Sequence, residues 1–261
     1  MAVQKYFIHL TYKGTNYQGW QRQANGLGVQ EVVEEKLSRI FKQKIVLHAC
    51  GRTDAGVHAS QFFCHTRING NWGFDAVFRM NKLLPKDISI IEFIPVAATA
   101  NAQLDVHART YDYFFHVEDN PFLSELSTLY KVSPINIEEM RKAAHLIQYY
   151  TDFRSFCKQP DIHPSTICQI SDSSLAFNDS RTQFRFRITG NRFLKAMVRM
   201  LVGHLIKIGE GKITLIEFEA LFKSPQLSKK PMFAYPQGLY LSKVLYPYLE
   251  RAIKNPFLFK N

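Results

Sequence analysis

Between two apolar runs, Gly51-Arg52-Thr53-Asp54-Ala55-Gly56-Val57-His58 places a carboxylate, an arginine, a histidine and two glycines within eight residues. Asp54 can serve as general base or nucleophile, and Arg52 can meet a phosphate through forked hydrogen bonds. Gly51 and Gly56 admit backbone angles and a close ligand approach that a side chain would block. The same residue types also make a tight turn in which Asp54 bonds its own backbone, so the loop is either a site or an Asx-type turn. His48, Cys50, His58, Cys64 and His65 flank Asp54 and raise zinc as a rival chemistry. Their spacing speaks against it. Residues 48 and 50 share a strand face, Cys64 and His65 point to opposite faces, and no pair has the spacing of a structural zinc site. Neither a metal nor a cofactor is expected.

The elements around the loop must hold it at both ends. Residues 45–50 and 61–65 are apolar and read as strands. Tyr6, Ile8, Leu10 and Tyr12 alternate as one face of an earlier strand, and Val29, Val32, Val33, Leu37, Ile40 and Phe41 recur at helical spacing. A helix carrying Phe74, Val77, Phe78 and Leu84 must stop before Pro85, and residues 88–94 follow as a strand. The order is βαββαβ, the split βαβ pattern. It then repeats. Residues 110–117 read as a strand, and Asn136 with Glu139 gives an N-cap and capping-box signal for a helix carrying Ile137, Met140, Ala144 and Ile147. Strands are expected at 167–177 and 184–188, a long helix at about 192–208 and a short one from Thr214 with Glu217 as its box partner. A last strand is expected at 239–246. The fold class is α/β of the α+β kind: two ferredoxin-like, RRM-like βαββαβ halves, 1–100 and 101–261, joined through Ala97-Ala98-Thr99-Ala100-Asn101-Ala102. A cleft between like halves is the natural place for a substrate.

Composition narrows the substrate. The chain has 261 residues at 46% apolar content, enough for an ordinary core. Its 33 Lys and Arg against 22 Asp and Glu give a formal charge of +11, which favours a polyanion through phosphate contacts and counterion release. Aromatic residues at 13% supply faces for stacking on unpaired bases, although a merely soluble basic protein has a similar balance. Cys50, Cys64, Cys157 and Cys168 lack C-x-x-C spacing and read as reduced thiols. No apolar run reaches the length of a membrane span, and Met1-Ala2-Val3-Gln4-Lys5 lacks the apolar core of a secretion signal. A cytoplasmic protein without a membrane partner is expected.

The octet resembles the catalytic motif of the TruA family of tRNA pseudouridine synthases, and further blocks fall in that family's order. They are Tyr17-Gln18-Gly19-Trp20-Gln21-Arg22-Gln23, then Arg109-Thr110-Tyr111-Asp112-Tyr113, then Asn191-Arg192-Phe193-Leu194-Lys195-Ala196-Met197-Val198-Arg199 with Gly203, and Gly238-Leu239-Tyr240-Leu241. The resemblance spans nearly the whole chain. It implies two α/β domains with facing antiparallel sheets, a basic RNA-binding cleft between them and a homodimer. It also implies isomerisation of uridine to pseudouridine in the anticodon stem-loop of tRNA, with nucleotides 38, 39 and 40 as targets.

Residue roles come with the resemblance. Asp54 is matched to the essential carboxylate. Arg199 is matched to the arginine that pairs with that carboxylate; by itself it would read as a solvated helix arginine. Tyr111 is matched to the tyrosine that stacks on the target base and is a candidate for taking the C5 proton, against the plainer role of a packed strand tyrosine. Tyr113, on the same face, reads as packed. Arg52 is matched to the arginine that helps evict the target nucleotide and holds its phosphate. Arg22, Gln23, Arg109 and Leu239 are implied as RNA-contacting residues. Arg185 and Arg187 share a strand face that is either solvated or turned to RNA.

One departure stands out. Where the family carries a Phe-His-Ala-Arg run, this chain has Ala100-Asn101-Ala102-Gln103, without the histidine and the arginine. Asp54, Tyr111 and Arg199 are untouched, so the departure bears on RNA positioning and on which uridines are modified. A catalytically idle RNA-binding factor and a paralogue with shifted targets are the alternatives, and a metal-dependent phosphoesterase would need the ligand cluster rejected above.

Overall fold

The structure, a computed structural model, describes residues 3–70, 72–132, 134–225 and 231–249. Met1 and Ala2, which open the run read for a secretion signal, lie outside them. In chain order the elements are β1 (Val3–Tyr12), α1 (Val29–Phe41), β2 (His48–Ala49), β3 (His58–Asn69), α2 (Ala76–Leu83) and β4 (Ile88–Val96). They continue as β5 (Ala108–His116), β6 (Thr128–Leu129), α3 (Ile137–Leu146), β7 (Ile170–Phe177), β8 (Gln183–Gly190), α4 (Met197–Gly209), α5 (Leu215–Lys223) and β9 (Leu239–Leu245). The fold is mixed α/β, in two compact units: residues up to His107 together with those from Tyr240 on, and Ala108–Leu239.

In the first unit β1 lies between β4 and β3, antiparallel to both, β2 pairs with β3, and β9 joins β3 in parallel at His58 and Ala59. β3 is buried from His58 to Thr66, and both of its faces are covered. Phe62 meets Trp20 at a ring distance of 4.2 Å, while Phe63 meets His9 at 4.6 Å and Tyr246 at 5.4 Å. The small-residue stretch read as a joint packs on this unit. Ala102 is fully buried, its N–H donates to His65 Nδ1 (3.1 Å) and its carbonyl accepts from the Tyr246 hydroxyl (2.7 Å). The strand expected at 45–50 shrinks to two residues for a local reason. Ile45 N–H goes to Ser38 Oγ and Leu47 N–H to Glu34 Oε1, so side chains of α1 take the place of a ladder.

In the second unit β8 lies between β5 and β7, antiparallel to both, and β6 extends the end of β5 in parallel. Tyr113, Phe115, Phe184, Phe186 and Ile188 are buried on one face of this sheet. α3 starts at the expected N-cap, where Asn136 Oδ1 accepts the Glu139 N–H at 3.1 Å. α5 starts with the full capping box, the Glu217 carboxylate accepting from the Thr214 N–H and Thr214 Oγ1 from the Glu217 N–H. α4 is buried along its whole length except at Arg199 and Lys207. It begins five residues later than expected. Ala196 sits at φ +59°, a left-handed conformation that no α-helix continues through. The Lys195 carbonyl before it is taken by the Lys158 N–H (3.1 Å). The four cysteines are buried and none of them is in a disulfide. No helix among the described residues is long and apolar enough to cross a membrane.

Candidate active site

Asp54 lies half-buried in the loop from β2 to β3. The loop is clamped from three directions. At its base the Cys50 N–H donates to the Phe63 carbonyl (2.8 Å). On one side residues 14–20 grip it: Trp20 N–H donates to the Thr53 carbonyl (3.2 Å), Gly56 N–H to the Tyr17 carbonyl (3.2 Å) and Gly14 N–H to His58 Nδ1 (2.9 Å). From β1, the Tyr12 hydroxyl meets Thr53 Oγ1 at 2.8 Å. Two glycines permit the approach. A Cβ on Gly19, which has φ +88°, would stand 2.4 Å from the Thr53 carbonyl oxygen, and one on Gly14 would stand 2.0 Å from that of Val57. The turn itself closes through main chain, Val57 N–H to the Asp54 carbonyl (3.1 Å).

The Tyr17–Gln23 motif therefore acts first as a brace. Trp20, 2% exposed, wedges it against Phe62. Arg22 pairs with Glu34 (3.0 Å) and reaches Glu31 (3.6 Å), and Gln23 Nε2 donates to the Gln18 carbonyl (2.8 Å). Glu34 is buried and also accepts from Gln30 (2.9 Å), so part of Arg22's charge serves the fold, while half of its side chain faces solvent. Arg52 is exposed at the loop surface. The ring nitrogens weighed above for zinc have backbone work: His58 Nδ1 and His65 Nδ1 accept main-chain N–H groups. Burial lowers the His65 pKa to about 4. At the departure from the family pattern, Asn101 Oδ1 accepts the N–H groups of Gln103 (2.9 Å) and Leu104 (3.1 Å) and so builds a tight turn that leaves Gln103 exposed.

In the second unit, two of the sequence blocks converge on Tyr111. Its half-buried ring stands edge-on to Phe193 at 5.0 Å, and Arg109 Nη1 donates to the Asn191 carbonyl (3.4 Å). Tyr113 is fully buried, as expected. Its hydroxyl stands 2.9 Å from the Tyr235 carbonyl, 2.8 Å from Thr128 Oγ1 and 3.1 Å from the Tyr130 hydroxyl. A carbonyl can only accept, so toward Tyr235 the Tyr113 hydroxyl is the donor. Burial pushes the Tyr113 pKa well above the usual phenol range.

Arg199 lies in the first turn of α4. Its Nε donates to the Ala234 carbonyl (2.8 Å), its own carbonyl accepts the Ala234 N–H (2.9 Å), and its guanidinium carbon is 5.7 Å from the Phe233 ring centroid. Arg187 forks onto Asp112 (2.8 and 3.0 Å), a buried carboxylate that Arg185 approaches at 3.9 Å. That strand face is thus an ion-pair cluster as well as a partly solvated surface. Leu239, at the start of β9, is buried. Residues 232–237, which meet Arg199, went unrecognised in the sequence, because they show no periodicity; only Gly238 at their end falls in a block singled out above.

The sequence profile of a family described as tRNA pseudouridine synthase matches residues 150–247. A protein of Porphyromonas gingivalis named tRNA pseudouridine synthase A is 38% identical over 246 residues, covering 93% of this chain and 97% of that protein. The Bacteroides fragilis protein of the same name is 36% identical over 95% of this chain and 98% of its own length. That of a Hydrogenobaculum species is 34% identical over 94% of this chain and all of its own.

Proposed function

This chain belongs to the tRNA pseudouridine synthase A family and is a tRNA pseudouridine synthase, an isomerase of uridine in tRNA. From that premise we propose that Asp54 is its catalytic carboxylate and that its targets lie at nucleotides 38 to 40 of the anticodon stem-loop. The observation that carries the assignment of Asp54 is the clamp. A half-buried carboxylate sits on a loop fixed by main-chain bonds from residues 14–20 and admitted by two glycine contacts, which is how a reacting group is held in one geometry before substrate arrives.

The chemistry needs little else. The C1'–N1 bond breaks, the base turns, C1' joins C5, the C5 proton leaves and N1 takes up a proton. Nothing is oxidised or reduced. Whether the carboxylate adds to the base or acts on the ribose, it must be ionised and within reach of a nucleotide taken out of its stack. In this proposal Arg52 holds the phosphate of the extruded nucleotide and Arg199 supplies the cation for the carboxylate. Tyr111 stacks on the base and its hydroxyl takes the C5 proton. Arg22, Gln23, Arg109 and Leu239 border the RNA path. The charge of +11 supplies affinity for the polyanion. The protein works in the cytoplasm and as a homodimer.

A map of pseudouridines in tRNA from cells with and without the protein tests the targets. Loss confined to nucleotides 38 to 40 is the expected result, and loss elsewhere with those three retained contradicts it. The exposed turn at Gln103 favours a second reading of the target set, in which neighbouring uridines are weighted differently.

A further inference from the structure

Segment 232–238 is fastened to the second unit at four points. At Met232 it crosses α4 so closely that a Cβ on Gly203 would stand 2.5 Å from the Met232 carbonyl oxygen. At Ala234 it exchanges two hydrogen bonds with Arg199, one of them from the side-chain Nε. At Tyr235 its carbonyl accepts the Tyr113 proton. At Gly238 a Cβ would stand 2.8 Å from Tyr113 Cζ and 2.5 Å from the Phe114 carbonyl oxygen. Gly203 lies one helical turn after Arg199, on the same face of α4. Both glycines belong to the sequence blocks singled out above, and no chemical step uses either. What each does here is admit the segment's backbone.

Ala234 is buried, but residues 235–237 are open on one side. The segment borders a cavity of about 490 Å3 to whose lining it contributes Tyr235 and Gln237, and the Tyr235 side chain is largely exposed. The hydrogen bonds and the two glycine contacts help to fix where the Ala234 carbonyl stands, and that carbonyl accepts from Arg199 Nε.

We propose that Tyr113, Gly203 and Gly238 form a seat for segment 232–238, and that this segment is the positioning device of Arg199. They are positioning residues, and none of them is assigned a contact with the reacting atoms. The inference rests on the role proposed for Arg199. Tyr113→Phe removes the proton given to Tyr235 and keeps the ring. Gly203→Ala pushes the segment away at Met232, although in a helix interior the exchange by itself favours α4.

The test measures kcat and KM for tRNA, with melting temperatures, in Tyr113→Phe, Gly203→Ala, Arg199→Lys and the two double variants with Arg199→Lys. Lysine has a carbon at the ε position, so in that background the Nε–H bond to the Ala234 carbonyl is absent and the seat no longer orients a planar guanidinium. The expected result is a fall in kcat of roughly tenfold or more for Tyr113→Phe and for Gly203→Ala, from misplacement of a catalytic group. KM should be nearly unchanged, and neither change should lower kcat further once Arg199→Lys is present. Equal fold losses in both backgrounds would overturn the inference, since they would show general loosening of the unit. Wild-type kcat in both seat variants, with Arg199→Lys impaired, would overturn the seat alone. Wild-type kcat in Arg199→Lys and in Arg199→Ala would remove the role proposed for Arg199, and this inference with it.

Discussion

Arg199 stands where helix electrostatics disfavour a cation. The first turn of α4 carries no acidic residue, and a positive side chain near the N-terminal end of a helix costs about 0.3–1 kcal/mol. It is entered through Ala196 in a left-handed conformation, which costs a further ~1–2 kcal/mol. Stability of the helix thus gives no reason for this residue at this place, whereas orientation of a charged group does. Tyr111 presents a different balance. Its ring is fixed edge-on by Phe193 and only partly buried, so Tyr111→Phe keeps the stacking surface and removes the hydroxyl. If that hydroxyl takes the C5 proton, kcat should fall by about a hundredfold or more with KM for tRNA little changed. An unaltered single-turnover rate would leave stacking as its only role.

At the scale of elements, the local signals were legible in the sequence and the long-range fastenings were not. Asn136 and Thr214 announce their helices because a cap acts within four residues, and both N-caps form; Thr214 with Glu217 also closes the box, whereas the Asn136 N–H goes to the Gly209 carbonyl in place of Glu139. The βαββαβ order of residues 3–96 followed from periodicity and its breakers, whereas β9, read as closing the second half, joins β3 in the first unit. The clamp on the Asp54 loop left no such trace. It joins residues 14–20 to residues 53–58 mostly through main-chain amides, which any residue type supplies, and only the glycines at 14, 19 and 56 hint at it. The late start of α4 was hidden for a similar reason, since an alanine gives no warning of a left-handed backbone. Gly19→Ala tests the clamp. Its φ of +88° and a Cβ 2.4 Å from the Thr53 carbonyl oxygen both penalise a side chain, by about 1–3 kcal/mol for the backbone strain alone. The expected outcome is a lower melting temperature and a loss of kcat that exceeds any loss of tRNA affinity; wild-type kcat would show that the loop does not depend on this brace.

For the whole molecule, charge governs affinity and buried imidazoles govern acid stability. Burial lowers the pKa of His65 to about 4 and also lowers those of His116 and His204. Above about pH 6.5 these groups are neutral in both folded and unfolded chains. Below it the unfolded chain takes up protons that the folded one refuses, so stability is lost as pH falls from 6.5 toward 4. Asp105, held below the usual carboxylate range chiefly by the Tyr248 hydroxyl, adds loss of the same sign at lower pH. Thermal melts across this range should show a steady fall in melting temperature that is shallower in His65→Asn; an equal slope would place the acid sensitivity elsewhere. The central claim, that the clamped Asp54 isomerises uridine in tRNA, is tested most directly by tritium release from C5-labelled uridine in tRNA. The assay compares wild-type protein with Asp54→Ala and measures tRNA binding in parallel. The account predicts release by the wild type, none by Asp54→Ala, and comparable binding by both; continued release by a clean Asp54→Ala preparation would contradict it.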